Sequence, residues 1–178
     1  FRRDAKAADL LKRFGAHEVE TLESEVVSLS LAGRLMTKRV MGKAAFAHVR
    51  DESGDIQIYA QRDSLPEGIY NGLFKKLDLG DIIGVEGTLF RTRTGELTVN
   101  VTDVRLLVKA LRPMPEKYHG LTDIETRYRQ RYVDLLANQD SKEVFRKRAR
   151  TMASLRQFLD ARDYLEIESP IMQAIPGG

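Results

Sequence analysis

The hydrophobic period changes twice along the chain. Between Arg3 and Phe14, residues Ala7, Leu10, Leu11 and Phe14 fall on one helical face, and Gly15 follows as a stop. This predicts a short amphipathic helix, after which the charged stretch His17 to Glu25 reads as a linker. From Val26 the period is two. Val27, Leu29, Leu31 and Leu35 alternate with Ser28, Ser30, Arg34 and Met36, a long first strand in which Gly33 is the expected bend or bulge. Met41-Gly42-Lys43 turns the chain into a second strand ending at Arg50. Asp51-Glu52-Ser53-Gly54 is a hairpin turn with Gly54 where positive φ is expected, and Ile56, Ile58 and Ala60 then alternate with Asp55, Gln57 and Tyr59. Leu65, Ile69, Leu73 and Leu77 predict a helix over 65–77. Ile83, Val85 and Leu89 mark a fourth strand, and Leu97, Val99 and Val101 a fifth after the turn Thr94-Gly95-Glu96.

Five strands with a helix between the third and fourth is the arrangement of an OB-fold, a five-stranded, partly open Greek-key barrel. An SH3-like barrel has the strand count but not that helix. Beyond it, Arg112-Pro113-Met114-Pro115 reads as an extended tether, because each proline restricts the residue before it. A long helix is expected from Asp140, with Glu143 completing a capping box and Phe145, Ala149, Met152, Leu155 or Arg156, and Leu159 as its stripe. It should end near Arg162-Asp163, and Leu165 to Ser169 then reads as a short strand halted by Pro170. The expected partition is a helix and linker over 1–25, the barrel over 26–110, a linker over 111–137, and the start of a second domain over 138–178.

Strand parity sets Ala45, Ala47 and Val49 on one face and Phe46, His48 and Arg50 on the other, which Gln57 and Tyr59 share. Lys38 and Arg39 lie just upstream. Aromatic rings stack on bases, glutamine both donates to and accepts from base edges, and cations meet phosphates. That combination suits single-stranded nucleic acid. A second reading keeps Phe46 as a packing residue beneath the first helix or a loop; both stand at this stage. His17, His48 and His119 share no metal-ligand spacing, and Gly80 to Gly87 lie in a β pattern and not before a helix. Asp51-Glu52 belongs to a turn. The run Arg127 to Arg131, with Tyr128 and Tyr132, is either a basic patch for RNA or a set of structural ion pairs, and arginine favours the second.

Composition adds bounds. The 178 residues hold no cysteine, which excludes a disulfide scaffold, a thiolate nucleophile and a thiolate-bound zinc. A net charge of +3 permits a polyanionic partner without requiring one. No apolar run is long enough to span a bilayer and no signal peptide is visible. The chain begins without methionine and stops at Ile175-Pro176-Gly177-Gly178, which reads as a fragment.

Several segments resemble the bacterial class II lysyl-tRNA synthetases: Ala110 to Pro113, His119-Gly120-Leu121, and Arg127-Tyr128-Arg129-Gln130-Arg131-Tyr132-Val133-Asp134-Leu135. So do Met41-Gly42-Lys43-Ala44 with Phe46, and Thr94-Gly95-Glu96-Leu97. Tyr164 to Met172 is similar to motif 1 of class II aminoacyl-tRNA synthetases, and the resemblance covers essentially the whole chain. It implies an anticodon-binding OB-fold joined to the start of an α+β catalytic domain. In that family ATP and Mg²⁺ activate lysine, which passes to tRNA(Lys) in a cytoplasmic homodimer. The resemblance assigns stacking on an anticodon base to Phe46 and hydrogen bonds to a uridine-rich anticodon to Gln57 and Glu96. It assigns cationic contacts to Arg39, with Lys38 and Arg34 beside it. Pro170 closes the motif 1 dimer element, and Gly177 falls where the lysine pocket begins. Asp163 departs from the family's usual glycine at the helix end; aspartate can adopt the left-handed conformation at modest cost, so a less favourable cap and an intact motif are expected. The motif 2 and motif 3 arginines that hold ATP are not in this sequence, so it carries no catalytic residues or cofactor of its own and is expected to be inactive alone. A non-enzymatic single-strand-binding OB module and an aspartyl or asparaginyl relative remain the alternatives.

Overall fold

The computed structural model describes residues 1–15, 26–115 and 121–168. Two compact units divide the chain, Phe1–Met114 and Pro115–Gly178.

The first unit runs α1 (Ala7–Phe14), β1 (Ser28–Met41), β2 (Ala44–Arg50), β3 (Asp55–Gln61), α2 (Ile69–Gly72), a 3₁₀ turn (Phe74–Lys76), β4 (Ile82–Arg91) and β5 (Leu97–Val108). The strands close into a barrel in the order β1-β2-β3-β5-β4, with only β3 and β5 parallel. The N-terminal half of β1 pairs with β4 and its C-terminal half with β2, so this one strand serves both sides of the barrel. Its ladder with β2 shifts register between Leu35 and Thr37, which makes Met36 the bulge residue, and not Gly33 as the sequence implied. Gly33 has a different task. A Cβ there would lie 2.6 Å from the Arg50 carbonyl oxygen and 2.7 Å from Val49 Cγ1, so its lack of a side chain permits the close approach of β2.

The inward positions of the strands form the core, among them Leu31, Leu35, Ala45, Ala47, Val49, Ile56, Ile58, Ile83, Val85, Val99 and Val101. The α1 helix adds Ala7, Leu10 and Phe14, while Leu11 is exposed. Lys6, at the N-cap of α1, contributes no side-chain cap. The β2–β3 hairpin does so instead: Asp51 Oδ2 accepts from the Ala7 N–H at 2.8 Å and Ser53 Oγ from the Ala8 N–H at 2.9 Å. Asp51 Oδ1 also accepts from the Ser53 and Gly54 N–H groups, so the carboxylate closes this turn. Gly54 is not among the positive-φ glycines, contrary to expectation.

The predicted single helix over 65–77 is broken. Gly68 sits at φ +81°, and only one α turn and one 3₁₀ turn form. Tyr70 and Phe74 are buried and stacked, their ring centroids 6.0 Å apart, while Ile69 and Leu73 pack at the edge of the core. Pro66, Gly68 and Gly72 interrupt the helical backbone, so Tyr70 and Phe74 take the buried places expected of Ile69 and Leu73, while Leu65 and Leu77 are buried as expected.

The second unit holds α3 (Ile124–Arg129), α4 (Arg131–Ala137) and α5 (Gln139–Asp160). Its centre is Asp134, which has no exposed surface. It accepts from Arg127 Nε (2.9 Å), Arg131 Nη1 (2.5 Å), Asn138 Nδ2 (2.7 Å) and Ser141 Oγ (3.1 Å). Two arginines of the Arg127–Arg131 run are thus structural, and Arg129 reaches Glu125 at 3.3 Å on the surface. Asn138, held by Asp134 and donating to the Leu121 carbonyl at 3.0 Å, occupies the N-cap position, so α5 begins at Gln139. The Asp140–Glu143 capping box does not form; Glu143 accepts from Arg146 at 2.9 Å. At the other end Asp163 adopts φ +61°, with Asp163 N–H donating to Asp160 O and Tyr164 N–H to Leu159 O, a Schellman motif with aspartate in the left-handed position. Residues 165–168 form no strand, because a strand needs a partner and they have none among the described residues. Pro170 and Gly177 lie outside the described residues.

Burial pushes the Asp134 carboxyl upward, but the donors from Asn138, Arg127, Arg131 and Ser141 outweigh it and hold the pKa at about 2. A carboxyl depressed on folding contributes stability above its unfolded pKa of about 3.9 and loses it as pH falls toward the folded value. The thermal midpoint of the helical unit should therefore drop between about pH 4 and pH 2. Asp134→Asn should flatten that slope; equal slopes for variant and parent would contradict the assignment.

Candidate nucleic-acid interface

The strand register aligns two rows across the outer face. One holds Arg39, Phe46, Tyr59 and Asn100; the next holds Thr37, His48, Gln57, Thr98 and Phe90. The first row and the end of the second make an aromatic strip. Phe46 and Tyr59 have centroids 4.8 Å apart at 42°, and Tyr59 meets Phe90 edge-on at 6.0 Å. Phe46 is partly exposed, not buried.

The second row is a hydrogen-bond network. Gln57 Nε2 donates to Glu96 Oε2 at 2.7 Å, and Thr98 Oγ1 donates to Gln57 Oε1 at 2.8 Å, which fixes the amide orientation. His48 Nε2 lies 3.1 Å from Glu96 Oε1, and His48 Nδ1 lies 2.8 Å from Thr37 Oγ1. Since an ionised carboxylate only accepts, both His48 and Gln57 are donors to Glu96. Each carboxylate oxygen keeps a lone pair for a further donor, and the second Gln57 Nε2–H has no partner among the described residues.

The bulge at Met36 decides where the cations go. It turns Thr37 and Arg39 outward, opposite His48 and Phe46, and sets Lys38 and Val40 opposite the inward Ala47 and Ala45. Arg39 is exposed beside Phe46 and has no hydrogen bond or ion pair among the described residues. Lys38, expected alongside Arg39, is turned away from this face. Its Nζ donates to the carbonyls of Lys75 and Leu77, and burial lowers its pKa. Arg34 donates to the Gly80 carbonyl at 2.7 Å, and Arg50 pairs with Asp55 at 2.5 Å. Alternation alone places Thr98 and Phe90 on this face, a signal that sequence reasoning passed over. Thr37 could not have been placed without the bulge. Among the described residues no cluster of His, Cys, Asp and Glu could hold a metal ion, and no helix is long and apolar enough to cross a membrane.

Residues 29–107 match a family described as an OB-fold nucleic acid binding domain. Residues 123–178 match tRNA synthetases class II (D, K and N). Its whole length is 56% identical to a lysine–tRNA ligase of Sodalis glossinidius, 57% to one of Thioalkalivibrio sulfidiphilus, and 56% to the heat-inducible lysine–tRNA ligase of Escherichia coli K12. The chain spans 35–36% of the length of these relatives. The synthetase signature falls on the helical unit and the nucleic-acid signature on the barrel that carries the aromatic strip.

The two adjacent cations should separate in a stability measurement. Lys38→Ala leaves the Lys75 and Leu77 carbonyls without their charged donor and should cost about 1–3 kcal/mol in denaturant unfolding. Arg39→Ala should stay within about 0.5 kcal/mol, as for an unpartnered surface residue. Equal losses would contradict the division of roles.

Proposed function

We propose that the barrel reads the anticodon of a lysine tRNA and that the chain is part of a cytoplasmic lysine–tRNA ligase. The relatives supply the family. What supports the specific reading is the Glu96 carboxylate, held by two donors and half-exposed on the face that also carries Phe46. A uracil presents an N3–H donor flanked by two carbonyl acceptors. Glu96 can accept that N–H, and the second Gln57 amide hydrogen can reach an adjacent carbonyl. Cytosine turns an N3 lone pair toward the same carboxylate, so the site favours uridine by repelling its competitor. Phe46 supplies a stacking face and Arg39 a phosphate contact. Lys38 and Arg34, whose charged groups already meet backbone carbonyls, are assigned no base or phosphate contact.

Lysine activation by ATP and Mg²⁺ is proposed for the longer protein, and no residue of this chain is assigned to it. The longer protein is proposed to be a homodimer through the α5 region, where Phe145, Met152, Leu155 and Leu159 are exposed. Light scattering that returned a monomer of the longer protein would contradict this.

Phe46→Ala should weaken binding of an RNA stem-loop with a UUU anticodon by about 1–3 kcal/mol while leaving the circular dichroism spectrum unchanged. Glu96→Gln, which adds a donor, should narrow the preference for U over C in that loop more than it lowers overall affinity. Parent-like affinity in the first variant, or parent-like discrimination in the second, would overturn the reading.

A further inference from the structure

We propose that Arg91 is a positioning residue for Glu96: its guanidinium ties the peptide group from which Glu96 departs to the C-terminal end of α1. The inference rests on the reading of Glu96 given above and names what holds that residue's backbone.

The peptide between Gly95 and Glu96 is the joint of the turn that sequence constrains least. Gly95 stands at φ +87°, and a Cβ there would meet nothing within 4 Å, so neither a side chain nor crowding limits how this peptide plane turns. Its rotation would re-aim the Glu96 side chain, whose carboxylate sits between Gln57 and His48. Two groups oppose that rotation, one at each end of the peptide. The Glu96 N–H donates to Thr92 Oγ1 at 3.0 Å, and the Gly95 carbonyl accepts from Arg91 Nη1. Among the described residues no other donor reaches that carbonyl.

Arg91 is the last residue of β4, and its other arm is also engaged. Nη2 donates to the carbonyls of Phe14 at 3.1 Å and Gly15 at 2.9 Å. These lie at the C-terminal end of α1, where backbone carbonyls lack intrahelical partners and the helix dipole favours a cation. The helix is a fixed support: Ala7, Leu10 and Phe14 are buried in the core, and Asp51 and Ser53 hold its first turn. Because a guanidinium is planar and rigid, setting Nη2 on the helix sets the direction in which Nη1 points. Nε is buried without an acceptor among the described residues, so the fork is held by its two Nη groups alone.

Without this tie, the Gln57 and His48 donors would hold a carboxylate carried on a backbone free to turn. Arg91 thus serves base selectivity through the backbone of Glu96, and its charge is spent on carbonyls and not on phosphate.

The test uses the 178-residue chain, its Arg91→Met, Arg91→Lys and Thr92→Val variants, and the UUU stem-loop with its single U-to-C replacements at fixed pH and salt. Amide hydrogen exchange is read first, without RNA. The Glu96 amide should exchange about ten-fold faster in Arg91→Met than in the parent, while the Ile58 amide of the barrel core keeps its rate. Arg91→Lys, which replaces the planar fork by one nitrogen, should shift Glu96 exchange in the same direction. The affinity ratio of UUU to its most strongly rejected U-to-C replacement should fall about ten-fold in Arg91→Met. Thr92→Val releases the same peptide from its other end and should lower that ratio too. The double variant should lose little more than the larger single loss, since both residues act on one peptide. Parent-like Glu96 exchange in every variant that folds overturns the proposal. So does faster exchange with a parent-like affinity ratio, or full additivity in the double variant. A parent that shows no preference for UUU overturns the anticodon reading itself, on which the exchange rates do not depend.

Discussion

β3 and β5 run parallel, and no hairpin can join parallel neighbours. The chain between them must cross over, and it does so through α2, the 3₁₀ turn and β4, which returns antiparallel to β5. That single pairing closes the barrel and decides what the outer face contains. Its register sets Gln57 beside Thr98 and Tyr59 beside Asn100, which brings the last residue of the preceding turn, Glu96, within reach of Gln57 and His48. A slip of one residue would reverse the faces of β5 and turn Thr98 away from Gln57. The hydrogen bonds around Glu96 follow from a closure contact that carries no base-recognising chemistry of its own.

Alternation was sufficient for the barrel. Ile56, Ile58 and Ala60 facing inward, with Gln57 and Tyr59 outward, could be read from period two, because one face is dry and the other wet. The same rule put Phe46 and Gln57 on one surface. It failed at Met36, where one extra residue inverts parity and exchanges Lys38 for Arg39 on the outer face. Nothing in Leu35-Met36-Thr37 distinguishes a bulge from regular strand; the bulge is required because β1 bends from β4 to β2, a demand of closure that is not local. The i+4 spacing of Leu65, Ile69, Leu73 and Leu77 misled for a related reason, since Gly68 and Gly72 outweigh periodicity in so short a segment. Asn138 occupies the N-cap position without capping α5 through its side chain, which is held instead by the buried Asp134 one turn earlier.

Asp134 illustrates a different economy in the helical unit. A buried carboxylate is costly unless every lone pair is met, and four side chains from three elements and a connecting residue meet these. Apolar residues of similar volume could fill that space, but they would not fix how α3, α4 and α5 meet. Directional bonds from Arg127, Arg131, Asn138 and Ser141 do, and they set where α5 begins. A helix that leaves Phe145, Met152 and Leu155 exposed gains little orientation from its own packing, so a polar hub is a reasonable source of it.

A carboxylate on a face proposed to meet RNA needs a physical reason, because it repels every phosphate near it. The repulsion is offset by Arg39 and by a chain of net charge +3. What the carboxylate provides in return is rejection. A neutral acceptor would tolerate a cytosine N3 at modest cost, whereas a desolvated carboxylate opposed to a lone pair is unfavourable enough to discriminate. Discrimination of that kind requires the charge to stay in place, since a mobile glutamate would swing toward water and accept either base. Hence the number of constraints on one residue: the Glu96 N–H donates to Thr92 Oγ1 at 3.0 Å, its carbonyl accepts from the Thr92 N–H at 3.0 Å, Gly95 takes φ +87° to make the turn, and both carboxylate oxygens are held. In the proposed reading, rigidity at Glu96 converts an electrostatic liability into base selectivity, and the polar row of the outer face is the scaffold for that rigidity.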